Sequence, residues 1–292
     1  MQIEKKQGKL SGKEKFSIVI PTWNNLDYLK LCVESIEKNS RYEHQIIVHV
    51  NEGSDGTPEW LEQKQIAYSH SKENIGICFG LNFARTLLAT DYLLYMNDDM
   101  YVCPDWDKFL LDEIEAFGHN RFFLSATMIE PKTRNGAAIE FDCGDNPNNF
   151  DEKKLLENCA LLKKEDWSGA TWPPNVVHKD VWDLVGGYSV EFSPGMYSDP
   201  DFSMKLWRAG IRDFKGAGKS RVYHFASKTT KRIKKNDGYY KFIDKWGITA
   251  KTFADKFLKR GKPYAGTLPE PDLAFGDIAK GKIKKALNGL KK

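Results

Sequence analysis

The chain has 292 residues, 41% of them hydrophobic and 13% aromatic, which is enough for an ordinary buried core and argues against a largely disordered chain. Its 44 Lys and Arg against 40 Asp and Glu leave a net charge of +4, too small to mark a nucleic-acid binder. Cys32, Cys78, Cys103, Cys143 and Cys159 are widely spaced and form no Cys-x-x-Cys pair, which disfavours a disulfide scaffold or a thiolate zinc site.

Residues 1–15 lack the apolar run of a signal peptide and are expected to fray as a flexible segment. No apolar span of about 18 residues follows. The expectation is a soluble protein of a reducing compartment, cytoplasmic or peripheral on the inner face of a membrane. Phe16-Ser-Ile-Val-Ile20 is rich in β-branched residues and predicts a buried strand stopped by Pro21. Leu26, Leu29, Val33 and Ile36 recur at helical spacing, so a helix is predicted over 26–39, with Asn24 and Asn25 as caps. A second strand is expected over 45–50. Glu52-Gly-Ser-Asp-Gly-Thr57 is a turn, with Thr57 and Pro58 suited to a helix cap and first helical position. A short strand over 66–69, a helix over 76–88 and an apolar strand over 92–96 complete the first hundred residues. Alternating strands and helices of this kind predict a mostly parallel sheet covered on both faces.

The second half is less regular. Strands are expected over 121–129 and 222–225, helices over 151–164, 179–184 and 200–208, and a surface loop over 135–149. After residue 237 the pattern is helical and then interrupted by Gly and Pro.

Three features can carry chemistry. Asn97-Asp98-Asp99 directly follows an apolar strand, and ligands of open α/β sheets bind outside the carboxyl ends of strands. The pair of carboxylates there is either a solvated polar turn or the seat of a divalent cation that bridges phosphates. Asp199 precedes a helix and is either its cap or a carboxylate held as a general base. His224, at a strand end beside aromatics, is either an ordinary surface or core histidine or a further metal ligand. No GxGxxG follows the first strand, and no GxxxxGK[ST], GxSxG or HExxH occurs.

Together these pieces resemble the family 2 inverting glycosyltransferases, whose nucleotide-sugar-binding fold is called GT-A. The resemblance covers about residues 16–247. It is carried by Phe16-Ser-Ile-Val-Ile-Pro-Thr-Trp-Asn-Asn25, Glu52-Gly-Ser-Asp-Gly-Thr57, Glu73-Asn-Ile-Gly76 with Asn82, Asn97-Asp-Asp99, Val185-Gly-Gly-Tyr188, Asp199-Pro-Asp201, Arg208-Ala-Gly210 and His224. The implied fold is α/β: a mostly parallel central sheet flanked by helices, a small antiparallel acceptor-side sheet and a helical C-terminal extension. Residues 16–100 would be the nucleotide-sugar-binding half, 101–236 the acceptor-binding half, and 237–292 the basic extension.

The resemblance implies that Pro21, Thr22, Asn24 and Asn51 line the nucleotide pocket, with Asn82 and Arg85 as further contacts near ribose and phosphates. The family usually has Asp where Asn51 stands, and one more residue between Ser54 and Asp55. The Asp-x-Asp motif maps onto Asn97, Asp98 and Asp99. Asp99 and His224 would hold Mn2+ or Mg2+, with Asp98 beside the ribose or a metal-bound water. Asp199 would be the general base, although the acidic residue usual before it is Ser198 here, and Asp201 would support local structure. Trp106, Trp167, Trp172, Trp182, Tyr188 and Tyr197 form an aromatic-rich set, from which Trp172 and Tyr197 are the expected sugar-stacking pair.

The implied activity is metal-dependent, inverting transfer of a sugar from a nucleotide-diphospho-sugar donor to a hydroxyl of a glycan, glycolipid or glycoprotein, as in polysaccharide biosynthesis. The implied partners are donor and acceptor, without nucleic acid. The alternative is a sugar-nucleotide- or polysaccharide-binding protein without catalysis. A sugar-phosphate nucleotidyltransferase expects a Gly-rich loop where Pro21-Thr-Trp-Asn24 stands. The basic residues Lys256, Lys259, Arg260 and Lys262 before Pro263 and the late Lys280, Lys282, Lys284, Lys285, Lys291 and Lys292, with Ile283, Leu287 and Leu290, suit either a solvated packed helix or peripheral contact with an anionic membrane.

Overall fold

A computed structural model describes residues 2–225 and 237–289. Leu290, Lys291, Lys292 and the side chain of Leu287, which the sequence marks as part of a basic apolar face, lie outside the described residues. The strands are β1 (Ile3–Lys6), β2 (Ser17–Trp23), β3 (Gln45–Asn51), β4 (Ala67–Ser71), β5 (Tyr92–Tyr95), β6 (Met100–Val102), β7 (Phe122–Glu130), β8 (Ile139–Glu140), β9 (Trp167–Ser168), β10 (Asn175–His178) and β11 (Asp213–His224). The main helices are α1 (Leu26–Asn39), α2 (Thr57–Lys64), α3 (Gly76–Ala84), α4 (Trp106–Phe117), α5 (Glu152–Asn158), α6 (Lys179–Leu184), α7 (Ser198–Arg208), α8 (Gly238–Trp246) and α9 (Phe275–Gly289).

The strands form one sheet in the order β1-β4-β3-β2-β5-β10-β7-β11-β6. β4, β3, β2 and β5 are mutually parallel, and β7 runs parallel to β11. β10 is antiparallel to both β5 and β7 and joins the two halves. Alternation along β2 feeds both faces of the sheet. Ile18 and Ile20 pack with Leu29, Val33 and Ile36 of α1, while Val19 points the other way, toward Cys78, Leu81 and Ala84 of α3. Each fully buried aliphatic side chain contributes about 1.5–3 kcal/mol. The core is therefore held from both layers, and the loops at the strand ends rest on a fixed base.

Several expectations change. The opening segment, expected to fray, supplies β1, which pairs with β4 at the sheet edge. Pro21 does not end its strand. Beyond Val19, β2 keeps only β3 as a ladder partner, so a residue without an N–H is tolerated there. The cap of α1 is not an Asn side chain: Asp55 Oδ2 accepts from Leu26 N at 2.9 Å. Asp55 also holds Thr57, accepting from its N at 3.2 Å and its Oγ1 at 2.6 Å, so Thr57 begins α2 rather than capping it. The strand expected over 222–225 is the end of the much longer β11, whose glycines hide it. Gly216 lies under the indole of Trp167, where any Cβ would overlap the ring.

Candidate functional site

Parallel strands deliver their carboxyl ends to one edge of the sheet. β2 ends in Thr22-Trp23, β3 in Asn51, and β5 runs on into Asn97-Asp98-Asp99. A cavity of about 1000 Å³ opens at this edge. Small-molecule sites span about 300–1,000 Å³, so this one has room for two substrates side by side. Of the residues singled out in the sequence, Pro21, Thr22, Asn51, Asn97, Asp98, Asp99, Asp199 and His224 all line it.

The acidic turn is held from several sides. Asp98 and Asp99 are each 7% exposed. Thr22 Oγ1 donates to Asp98 Oδ2 at 2.7 Å. Pairing of β11 with β6 sets His224 opposite Met100, and Phe225 N donates to Asp99 O at 3.1 Å, so residues far apart in the chain meet here. His224 Nε2 lies 3.5 Å from Asp99 Oδ1, and its Nδ1 lies 3.0 Å from Glu130 Oε1. Burial works against the imidazolium, but Asp99 and Glu130 outweigh it and push His224 up to about 10. His224 also holds Glu130 below the usual carboxylate range, against the pull of burial. Glu130, the last residue of β7, escaped sequence reasoning, which ended that strand one residue early. The only signal was a charged residue closing an apolar run.

Asn51 is 3% exposed and uses both ends of its amide. Nδ2 donates to Thr22 O at 3.2 Å, and Oδ1 accepts from Ile75 N at 2.9 Å. An ionised aspartate cannot donate to Thr22. The departure from the usual Asp thus ties β2, β3 and the loop before α3 together.

Asp199 sits in the first turn of α7, with Tyr197 rather than Asp199 at the cap. Removal from water lifts its carboxyl to about 7, while the Tyr188 hydroxyl, donating to Oδ1 at 3.0 Å, pulls the other way. Tyr188 stacks on Phe202 with ring centroids 4.7 Å apart. Its backbone is gripped by Asn82, which donates to Tyr188 O at 2.8 Å and accepts from Tyr188 N at 2.9 Å.

Three expected contacts therefore stand outside the cavity. Asn82 acts on Tyr188. Arg85 makes a two-pronged ion pair with Asp183, at 3.0 and 2.5 Å, on the outer surface. Asn24 accepts from Gly53 N and Ser54 N at 3.1 and 2.9 Å and donates to Glu52 Oε2, so it shapes the turn beside the cavity. Of the aromatic set, Trp172 and Tyr197 line the cavity, whereas Trp106, Trp167, Trp182 and Tyr188 are buried in the core. Asp201 is fully buried and accepts from Trp246 Nε1 at 2.8 Å, with Lys245 Nζ at 3.0 Å.

The rim near Tyr197 depends on Gly76, whose φ of +78° is left-handed. A Cβ there would lie 2.5 Å from both Pro194 Cα and Ser193 Oγ. The same loops are knitted by Ile77 N donating to Pro194 O at 3.0 Å and Ser193 Oγ donating to Ile75 O at 2.7 Å. Gly76→Ala is expected to cost about 3 kcal/mol, strain and overlap combined. Urea unfolding of the variant checks this, and an unchanged midpoint would contradict the packing described.

Among the described residues, no group of three His, Cys, Asp or Glu side chains is arranged to enclose a metal ion. Cations of the Mg2+ and Mn2+ kind do not require one. They take one or two protein carboxylates and complete their shell with substrate phosphates and water. Two neighbouring buried carboxylates satisfy that donor chemistry. Glu130 on Nδ1 of His224 is the arrangement that directs the opposite ring nitrogen at a metal. The residues fit the group.

The end-of-strand cavity, the parallel half-sheet and the antiparallel extension define an α/β protein of GT-A architecture. Residues 17–160 match the family described as Glycosyl transferase family 2. An uncharacterized protein of Sinorhizobium fredii (strain NBRC 101917 / NGR234), y4gI, is 24% identical over 219 residues, 70% of this chain and 24% of that protein. The uncharacterized glycosyltransferase YfnE of Bacillus subtilis (strain 168) is 31% identical over 96 residues, 31% of this chain and 24% of that one. The chain thus spans about a quarter of the length of these curated relatives. Among solved structures, S. aureus TarS 1-349 in complex with UDP has a TM-score of 0.59 at 13% identity, covering 94% of this chain and 70% of that one. GalNAc-T7 with UDP, GalNAc and Mn2+ has a TM-score of 0.57 at 14% identity, covering 85% of this chain and 51% of that one. At these identities the likeness is one of fold.

Proposed function

We propose that this protein transfers a sugar, with inversion, from a nucleotide-diphospho-sugar to a hydroxyl of a glycan, glycolipid or glycoprotein acceptor. The observation that carries the reading is that the Asp99–His224 corner and Asp199 line one cavity. The family match over residues 17–160 and two solved structures of the same fold that contain UDP support it.

Pro21, Thr22 and Asn51 border the nucleotide end, where their strand ends leave backbone groups for base and ribose. Asp99 and His224 would hold Mn2+ or Mg2+, with Asp98 reaching it through water or touching the ribose. When bound, that cation supplies Lewis-acid stabilisation of the leaving diphosphate. Asp199 accepts the proton of the acceptor hydroxyl as the new bond forms. With a pKa near 7 it is about half ionised at neutral pH and basic enough for the task. Tyr188 fixes the direction of that carboxylate. Tyr197 offers a ring face to the sugar's C–H patches.

No helix among the described residues is long and apolar enough to cross a membrane. Peripheral contact with an anionic membrane belongs to the same reading and is supported by α9, which leaves Phe275 88% and Ile283 59% exposed among lysines. A panel of UDP, GDP, dTDP and CMP sugars, with and without Mn2+, tests the central proposal. Cation-dependent binding and turnover of one donor is expected. Binding without transfer to any glycan acceptor would favour the non-catalytic alternative.

A further inference from the structure

The C-terminal extension does more than cover the sheet. After α8, a helical turn at Ala250–Thr252 continues into a π-helical turn at Phe253–Phe257, and residues of this stretch line the cavity up to Arg260. Arg260 is fixed by its backbone. Its N donates to Ala254 O at 3.0 Å, Gly261 N donates to Ser168 O at 2.9 Å, and Ser168 N donates to Lys262 O at 2.8 Å. The strap lies so close to β9 that a Cβ on Gly169 would come 2.6 Å from Arg260 Cα.

The guanidinium stacks on Trp172, with Cζ 4.0 Å from the ring centroid. Stacking uses the flat face of the group and leaves its N–H edge for a ligand. Among the described residues, no carboxylate lies within ion-pair distance of Arg260, and its side chain makes no hydrogen bond. The nearby Asp255 is engaged by Lys251 at 2.5 Å. A half-buried cation with a committed face and an unengaged edge, set in the wall of a substrate cavity, is built to receive an oxyanion.

The side of the cavity follows from packing. Trp207 of α7, the helix that starts beside Asp199, meets Phe257 at 5.4 Å and Phe253 at 6.5 Å between ring centroids. The strap therefore belongs to the wall that carries Asp199, while the nucleotide end is built from β2, β3 and their loops.

We propose that Arg260, seated on Trp172, is an oxyanion subsite for the acceptor, so that the acceptor carries a phosphate or carboxylate near the hydroxyl that is glycosylated. This rests on the transferase reading above and adds the acceptor's chemical class. Trp172 then stacks the arginine rather than the sugar, leaving Tyr197 as the sugar platform.

The test compares glucose, glucose 6-phosphate and glucuronate by calorimetry on the full chain, with donor-nucleotide binding measured on the same preparations. The wild type is expected to bind one or both anionic sugars about tenfold or more tightly than glucose, the gain of a charge-assisted hydrogen bond. Whichever anion is preferred identifies phosphate or carboxylate as the source. Arg260→Gln should shrink the preference to about twofold or less and leave nucleotide affinity unchanged, while Arg260→Lys retains part of it. Trp172→Leu should weaken anion binding several-fold with the charge intact, and it carries the test together with Arg260→Lys if the glutamine variant does not fold. Equal affinity for the three sugars in the wild type, or a preference untouched by the variants, overturns the inference. A loss confined to nucleotide binding also overturns it, because Arg260 would then serve the donor. Failure of every donor nucleotide to bind sinks the transferase reading instead, and is read separately.

Discussion

Asp199→Asn is expected to lower turnover by about 10²–10⁴-fold while leaving donor affinity unchanged. Asparagine keeps an acceptor for the Tyr188 hydroxyl, so the first turn of α7 and the stacked Tyr188–Phe202 pair should stay in place. What is lost is the ability to take a proton. The wild-type rate should fall as pH drops through about 7, because Asp199 must be ionised to act and burial holds its pKa there. Stability should move the opposite way. A carboxyl raised from 3.8 to about 7 by burial favours the folded state at low pH, and that contribution is lost as pH rises through the folded value. Above pH 7 the ionised group is a liability that asparagine removes, by an amount on the order of 4 kcal/mol. The variant should therefore melt higher than the wild type at pH 8 and show little difference at pH 4. Near-normal turnover, or a variant less stable at pH 8, would remove Asp199 from the base role.

Asp99→Ala is expected to weaken cation-supported donor binding about 100-fold, close to 3 kcal/mol. A second readout needs no donor. Asp99 is a principal cause of the raised pKa of His224, so the imidazole should titrate at lower pH in the variant, with Glu130 still holding Nδ1. Nuclear magnetic resonance titration of His224 follows this directly. Donor affinity in Mn2+ identical to that of the wild type would exclude Asp99 from the cation site. An unmoved imidazole would contradict the ion pair itself.

Where the chemistry hangs on a strand end, the sequence was informative. The apolar run before Asn97 required a buried strand, and the two carboxylates at its end, open between a solvated turn and a ligand site in the sequence, line the cavity. The spacing of Leu26, Leu29, Val33 and Ile36 likewise located α1 with its observed bounds. What could not be read was long-range pairing. β10 enters between β5 and β7 through contacts that no local pattern encodes, and β11 conceals itself behind glycines that make room for Trp167. The resemblance implied a contact near the phosphates for Arg85, but Asp183, distant in sequence, turns it outward. Glu130 was missed, and Arg260 was read only as one of several basic residues before Pro263, for the same reason. Each owes its meaning to a neighbour, His224 or Trp172, that only folding supplies.

The strap that carries Arg260 has a consequence for how the protein comes into being. Its anchor, Ser168, belongs to a strand that pairs with β11, and the strap is made after nearly all the sheet. A chain shortened to residues 1–245 would hold both acidic corners yet lack this wall. Competence should therefore appear in one step with the strap, rather than growing with each added strand.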